Sequence, residues 1–153
     1  VYLPDQPVPV YGLLAGFGCF QCQPVKPGST ARLGALMMRF LPARHPVPAV
    51  GVMLEADGKR LCYTGDTNQF PGMEEVYRGA DLLMIDGGLA AGAWSEDKPH
   101  LSAALAAKVA MEAGPQRALL THFAPGMRAA LLQEAQAVYP QMQGAEALGS
   151  YEL

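Results

Sequence analysis

Neither a long apolar run nor a cluster of basic residues occurs in this chain of 153 residues. Charged residues, glycine or proline interrupt every apolar stretch well before the length of about 20 residues that a membrane-spanning helix needs. Nothing resembles a secretory signal peptide. Lysine and arginine total 11 against 14 acidic residues, so the chain lacks the basic surface typical of proteins that bind nucleic acid. We expect a cytoplasmic protein that needs neither a membrane nor nucleic acid as a partner.

Cysteine is also scarce, and its number is odd. Only three are present, which in a chain without a secretion signal predicts reduced thiols rather than a disulfide framework. Cys19 and Cys22 form a Cys-x-x-Cys pair, but a zinc ribbon needs a second pair of ligands, and Cys62 alone does not supply it. Glycine and proline surround the pair, whereas a thioredoxin-like motif opens a helix. We interpret these cysteines as ordinary thiols in a loop.

The remaining composition favours one packed domain. Half of the residues are apolar and 16% are charged, which is typical of a folded globular protein. Residues 1–35 are rich in proline and glycine and are predicted to form a connector, with an edge strand at residues 8–14. Residues 36–153 are predicted to hold the main fold.

Residues 36–153 alternate apolar runs with amphipathic segments, which predicts an α/β fold in which a sheet is layered with helices. Asp57-Gly58 is a tight-turn signal and predicts a β-hairpin over residues 49–64. Ser102 is predicted to cap a helix that Gly114 ends. The other predicted elements are strands at residues 36–40, 81–86 and 118–122, helices at 71–78 and 127–139, and a final strand pair at 145–148 and 151–153.

The chain has three histidines, and each stands at the boundary of a predicted element. His45 precedes the first strand of the hairpin, His122 ends a buried strand, and His100 opens a helix. Asp66 directly follows the hairpin in Tyr63-Thr64-Gly65-Asp66-Thr67. The hairpin therefore brings His45 and Asp66 to the same edge of the sheet.

Asp66 has the chemistry of a metal ligand. A dinuclear zinc or manganese site needs a short anionic group that reaches two ions about 3.5–4 Å apart, together with imidazoles that hold each ion. The hydroxyls of Thr64 and Thr67 are predicted to hydrogen-bond the Asp66 carboxylate. The alternatives are that Asp66 stabilises its own turn, that His122 is a buried histidine of the core, and that His45 is a surface residue.

His100 has a different environment because it lies beside a helix N-terminus. The helix dipole there favours a neutral imidazole and binds anions, so His100 could donate a proton to a leaving oxygen or hold an oxyanion. The alternative is a half-exposed loop histidine. Asp86, at the end of the strand predicted at 81–86, is a further candidate at the same edge of the sheet.

The order of these segments resembles the second half of the metallo-β-lactamase superfamily of hydrolases, over residues 37–153. The Gly-Asp-Thr loop is the most specific match, and the local pattern, with its His-Leu-Ser helix start, is most similar to the phosphodiesterase and RNase Z-like branch. The resemblance implies half of an αββα sandwich. It also implies two zinc ions, with manganese as the alternative, held by His45, Asp66 and His122, with Asp66 bridging them and His100 catalytic.

One family motif is missing. No His-x-His-x-Asp-His segment occurs, and no histidine remains that could replace it. We expect that the chain is the C-terminal part of a longer hydrolase, that it is inactive alone, and that it holds metal weakly or not at all. A missing N-terminal half or a second copy in a homodimer is then the expected partner. The alternative is a non-catalytic remnant that binds a metal or small anion or serves assembly.

The mechanism that the resemblance implies is attack of a metal-bound hydroxide on a phosphodiester or other ester-like bond. The stretch between His45 and Asp66 is too short for the long tRNA-gripping arm that true RNase Z enzymes insert there. A small phosphodiester is therefore the favoured substrate, ahead of tRNA.

Overall fold

The computed structural model describes residues 1–153 and contains a mixed β-sheet with helices packed on one face. The strands are β1 (Tyr2–Leu3), β2 (Gln23–Pro24), β3 (Thr30–Leu33), β4 (Leu36–Pro42), β5 (Val50–Ala56), β6 (Lys59–Tyr63), β7 (Leu82–Asp86), β8 (Arg117–Thr121) and β9 (Gln143–Gly144). The helices are α1 (Val8–Gly16), α2 (Met73–Tyr77), α3 (Ala103–Ala113) and α4 (Arg128–Val138), with a 3₁₀ turn at Ala91–Ala93. None of the helices has the length and apolar character that crossing a membrane requires.

The main sheet has seven strands in the order β3-β4-β5-β6-β7-β8-β9. Strands β3 to β6 pair antiparallel, and β6 to β9 pair parallel. The predicted hairpin is confirmed as β5 and β6, and its turn residues Asp57 and Gly58 have φ values of 51° and 75°. Such positive values match the twist of a two-residue hairpin turn, which explains why Asp-Gly is a reliable signal there. β1 and β2 form a separate parallel pair.

Helices α2, α3 and α4 cover one face of the sheet and form the core with it. The sheet contributes residues such as Met53, Leu83, Ile85 and Leu120, and α3 contributes a row of alanines. The predicted start and end of α3 are confirmed, because the Ser102 side chain accepts a hydrogen bond from the Leu105 N–H at 3.2 Å and Gly114 adopts φ 64°. The small alanines let α3 pack close to the sheet.

The opposite face of the sheet is less completely covered. Cross-strand pairs on this face join Val52 to Tyr63, Leu54 to Leu61 and Tyr63 to Met84. Four of these side chains are half-buried, and Tyr63 is 36% exposed. We name this set, Val52, Leu54, Leu61, Tyr63 and Met84, the open face.

The N-terminal segment differs from its prediction. The edge strand expected at residues 8–14 is wrong, because Val8–Gly16 forms helix α1. Pro7 and Pro9 explain this outcome: proline lacks the N–H that a strand ladder uses, whereas the first turn of a helix needs no N–H partner. No residue of α1 is buried, so the helix lies on the surface.

The C-terminal segment differs as well. The predicted final strand pair is wrong, since residues 145–153 are irregular and only β9 extends the sheet. The Glu146 N–H donates to the Tyr151 hydroxyl at 2.9 Å, and the Gly149 N–H donates to the Glu146 carbonyl at 3.0 Å. These contacts turn the backbone back on itself, so its polar groups are unavailable for a strand ladder.

Candidate metal centre

Three parallel strands bring candidate site residues to one edge of the sheet. β6 ends at Tyr63 and is followed by Asp66, β7 ends at Asp86, and β8 ends one residue before His122. The C-terminal ends of parallel strands lie at the same edge, which is where ligands bind in open α/β sheets. The convergence predicted from the sequence is therefore a direct result of the strand order.

His45 reaches the same edge from the loop after β4. The Arg44 N–H donates to the Thr67 hydroxyl at 2.9 Å, and the Asn68 N–H donates to the Arg44 carbonyl at 2.8 Å. These two bonds fasten the segment that carries His45 to the segment that carries Asp66. A short antiparallel bridge, rather than a helix or a strand, thus positions His45.

The three histidines and Asp66 form one cluster. The potential ligand atoms of His45, Asp66 and His100 all lie within 4.8 Å of one another. His122 Nδ1 lies 3.3 Å from Asp66 Oδ1, and the rings of His100 and His122 have centroids 4.3 Å apart. Imidazole and carboxylate are ligands that suit zinc or manganese, so these donors fit such an ion.

His100 has a specific partner that fixes its ring. His100 Nδ1 lies 2.8 Å from Asp86 Oδ2. The Asp86 side chain is fully buried and also accepts the Thr67 N–H at 2.9 Å and the Gly88 N–H at 3.1 Å. Burial raises the pKa of Asp86 above its ordinary value, while the three hydrogen bonds act in the opposite direction. Asp86 therefore orients His100 and leaves Nε2 free for the cluster.

The two threonines have a different role from the predicted one. The Thr64 hydroxyl donates to the Gly65 carbonyl at 2.7 Å and accepts the Asp86 N–H at 3.0 Å. The Thr67 hydroxyl donates to the Asn68 carbonyl at 2.8 Å. The prediction that these hydroxyls bond the Asp66 carboxylate is wrong, because both are buried and satisfy neighbouring backbone groups instead. The two hydroxyls stabilise the backbone of the loop rather than bond the Asp66 carboxylate.

The backbone at the cluster is tightly packed. Gly65 has φ 63°, and a Cβ there would lie 2.9 Å from the Val50 carbonyl oxygen. A Cβ on Gly88 would lie 2.7 Å from the carbonyl oxygen of His122. His122 itself has φ 64°, which few residues other than glycine adopt. These features fix the direction of Asp66 and His122.

Asn68 is fully buried beside this cluster, and the sequence pattern did not indicate it as a site residue. Its amide contacts the loop that leads to His100, 26 to 30 residues further along the chain. No local pattern marks such a contact. The only signal was its position directly after the Gly-Asp-Thr loop.

Comparison with known proteins places the chain in a family. Residues 5–123 match the family model described as Beta-lactamase superfamily domain. An uncharacterized protein of Mycobacterium leprae is 34% identical over 102 residues, which cover 64% of this chain and 35% of that protein. Ribonuclease Z of Methanothermobacter thermautotrophicus is 35% identical over 102 residues, covering 63% of this chain and 33% of the enzyme. The chain thus spans about a third of the length of the curated relatives it matches.

Solved structures share the fold. The metallo-β-lactamase fold protein YhfI from Bacillus subtilis superposes with a TM-score of 0.86 at 23% identity, covering 97% of this chain and 62% of YhfI. The short form of human tRNase Z superposes with a TM-score of 0.64 at 15% identity, covering 95% of this chain and 62% of that chain. With the family model covering most of its residues, the chain belongs to the metallo-β-lactamase superfamily.

Proposed function

We propose that this chain forms part of the active site of a cytoplasmic metal-dependent hydrolase that cleaves a small phosphodiester or another ester-like bond. The observation that carries the proposal is the convergence of His45, Asp66, His100 and His122 at the ends of neighbouring strands. Four potential ligands in contact, in a chain with three histidines, favour a functional cluster over unrelated surface residues.

His45, Asp66 and His122 are the residues that would hold two zinc or manganese ions. Bound divalent cations supply Lewis acidity, which activates water near neutral pH and stabilises negative charge on the scissile group. The chain's own contribution is to hold the donors in place. The backbone at Gly65 and the bond network of Thr64 and Thr67 support that geometry.

His100 and Asp86 are proposed to handle the proton. The Asp86 carboxylate holds Nδ1 of His100, so Nε2 is left free to donate a proton to the departing oxygen. The potential ligand atom of His100 lies within 4.8 Å of that of Asp66, so His100 is also close enough to bind a metal. The proton-donor role and the metal-ligand role predict different effects of replacing His100.

The proposed substrate is small. Several curated relatives are named Ribonuclease Z, but β5, β6 and their tight turn occupy most of the stretch between His45 and Asp66. No inserted arm that could grip tRNA lies there. A low-molecular-weight phosphodiester needs only the cluster and its immediate loops.

We further propose that another polypeptide segment completes the site. Asp66 and one histidine for each ion provide fewer protein ligands than the three that are usual for catalytic zinc. Apolar surface is available for the segment, since the open face is only half-buried and several α1 residues are exposed: Val8 60%, Val10 53% and Leu13 63%. A covering half that carries His-x-His-x-Asp-His, or a second copy of the chain, would bury this surface.

Zinc titration by calorimetry tests the metal proposal. The purified chain is expected to bind zinc weakly, and Asp66→Ala is expected to remove the residual binding. Tight stoichiometric binding that Asp66→Ala abolishes would show that the chain holds a complete site alone. Tight binding without hydrolysis in any assembly would favour the alternative of a metal-binding or anion-binding module.

Variants in an assembly whose ligand set is complete test the roles of the histidines. His100→Ala is expected to lower turnover of a phosphodiester by roughly 10²–10⁴ with metal content unchanged. His122→Ala is expected to lose metal. Equal loss of metal in both variants would place His100 among the ligands and refute its proposed role.

Light scattering at low micromolar concentration tests the completing segment. The chain is expected to copurify with a partner or to form a two-fold dimer that covers the open face. A stable, monodisperse monomer without a partner would contradict this expectation.

A further inference from the structure

One buried side-chain amide joins the loops of the candidate metal centre. Asn68 is 0% exposed. Its Nδ2 group donates to three backbone carbonyls of a single loop, at Ser95 (3.1 Å), Glu96 (3.2 Å) and Lys98 (2.7 Å). An amide NH₂ has two hydrogens, so one of them is shared between two carbonyls.

The other end of the amide is also fully used. Asn68 Oδ1 accepts the indole N–H of Trp94 at 2.8 Å and the N–H of Gln69 at 2.7 Å. Rotating the amide by 180° would set its NH₂ against these donors and its oxygen against the three carbonyls. The orientation is therefore fixed by its neighbours, and only asparagine places donors and an acceptor in this arrangement.

Each loop that Asn68 contacts leads directly to a site residue. Asn68 follows Asp66 by two positions, and its N–H donates to the carbonyl of Arg44, which precedes His45. Lys98 precedes His100 by two positions. A single residue, through its backbone N–H and its side chain, thus links the segments of His45, Asp66 and His100.

The loop at residues 94–98 has little other support. The side chains of its residues 95–98 are exposed. Its other hydrogen bonds run from the Trp94 N–H to the Ala91 carbonyl at 3.4 Å, from the Lys98 N–H to the Ser95 carbonyl at 3.1 Å, and from the Arg44 guanidinium to the Glu96 carbonyl at 2.8 Å. Without a helix or strand, the path of this loop depends on Asn68.

We propose that Asn68 is a positioning residue that sets the place and orientation of His100. It holds residues 94–98 so that His100 meets both Asp86 and the cluster. This role rests on the proposed function in one respect, which is that His100 acts on the substrate at this site. The hydrogen bonds of Asn68 to this loop join protein groups only.

Asn68→Asp is the main test, because aspartate has nearly the same shape but replaces the NH₂ with an oxygen. That oxygen would face the three carbonyls, so we expect hydrogen exchange of the two hydrogen-bonded amides of this loop, the N–H groups of Trp94 and Lys98, to speed up by roughly tenfold or more. Exchange across Arg128–Val138 is expected to stay within about twofold. The NMR signals of the His100 ring and of the indole N–H of Trp94, the only tryptophan, are expected to shift.

Gln69→Ala is the matched control, since only the backbone N–H of Gln69 bonds Asn68 and alanine keeps it. This variant is expected to leave the His100 signals unchanged. A merely structural role would lower the stability of Asn68→Asp without moving the His100 ring in the folded molecules. Folded Asn68→Asp with wild-type His100 signals and wild-type loop exchange would overturn the proposal.

Trp94→Phe keeps the test decisive if Asn68→Asp fails to fold. Phenylalanine removes one of the two donors to Asn68 Oδ1 and leaves the three carbonyl bonds, so a smaller shift of the His100 signals is expected. Unchanged His100 signals in this variant would also overturn the proposal. None of these measurements uses metal or substrate. An absence of hydrolytic activity in an assembly whose ligand set is complete would therefore refute the proposed function and leave the positioning role standing.

Discussion

Replacing Asp86 with alanine should cost the chain a large part of its stability. The Asp86 carboxylate is fully buried and accepts three hydrogen bonds, from the N–H groups of Thr67 and Gly88 and from His100. Alanine removes all three acceptor contacts at once. It also leaves a small cavity at the end of β7.

The magnitude follows from the donors that lose their partner. A buried N–H without an acceptor costs about 1–3 kcal/mol. The Thr67 N–H is buried and should lie in the middle of that range, whereas the Gly88 N–H is partly buried and should lie at its lower end. Removing a buried carboxylate relieves part of its desolvation cost. The net loss in free energy of unfolding is expected to be about 2–4 kcal/mol.

Urea denaturation followed by circular dichroism measures this loss. Asp86→Asn keeps one acceptor oxygen and is expected to lose about half as much. Asp97→Ala is the control, because Asp97 is exposed, and its change is expected to stay within about 0.5 kcal/mol. A loss below about 1 kcal/mol in Asp86→Ala would refute the view that Asp86 anchors these loops.

Four further outcomes are expected. Ser102→Ala should lower the free energy of unfolding by about 1 kcal/mol in urea, because it removes the cap of α3, and an unchanged midpoint would contradict the cap. Gly65→Ala should cost at least about 1–2 kcal/mol from its positive φ alone and should show a lower melting temperature. Burial raises the pKa of Cys62 to about 11, so at pH 8 a thiol reagent should label exposed Cys19 at once and Cys62 only after unfolding. Because the fold favours the neutral thiol, stability should fall as pH rises from the ordinary value of 9.0 towards 11, and less so in Cys62→Ala.

Local signals explain why much of the fold was predictable. The Asp57-Gly58 turn and the Ser102 cap act within a few residues, so the sequence shows them directly. The convergence of Asp66 and His122 follows from the rule that parallel strands end at one edge of the sheet. The apolar runs of the sequence show where the buried strands end, which is the information that this rule needs.

The features that the sequence did not reveal depend on longer-range contacts. Asn68 bonds carbonyls that lie 27 to 30 residues away, and Asp86 bonds His100 across 14 residues. The path of the intervening loop decides both contacts, and no periodicity encodes that path. Thr64 and Thr67 were assigned to the wrong partner for the same reason, since several acceptors lie near each hydroxyl and only the folded backbone selects one.

The left-handed backbone of His122 has an evolutionary consequence. A residue with a Cβ at φ 64° destabilises the fold relative to glycine, and asparagine tolerates the same conformation better. Selection for stability alone would therefore favour replacement of this histidine. The proposed role of His122 as a metal ligand would oppose that replacement, so substitutions that stabilise the chain while weakening the proposed metal site are expected to concentrate at position 122.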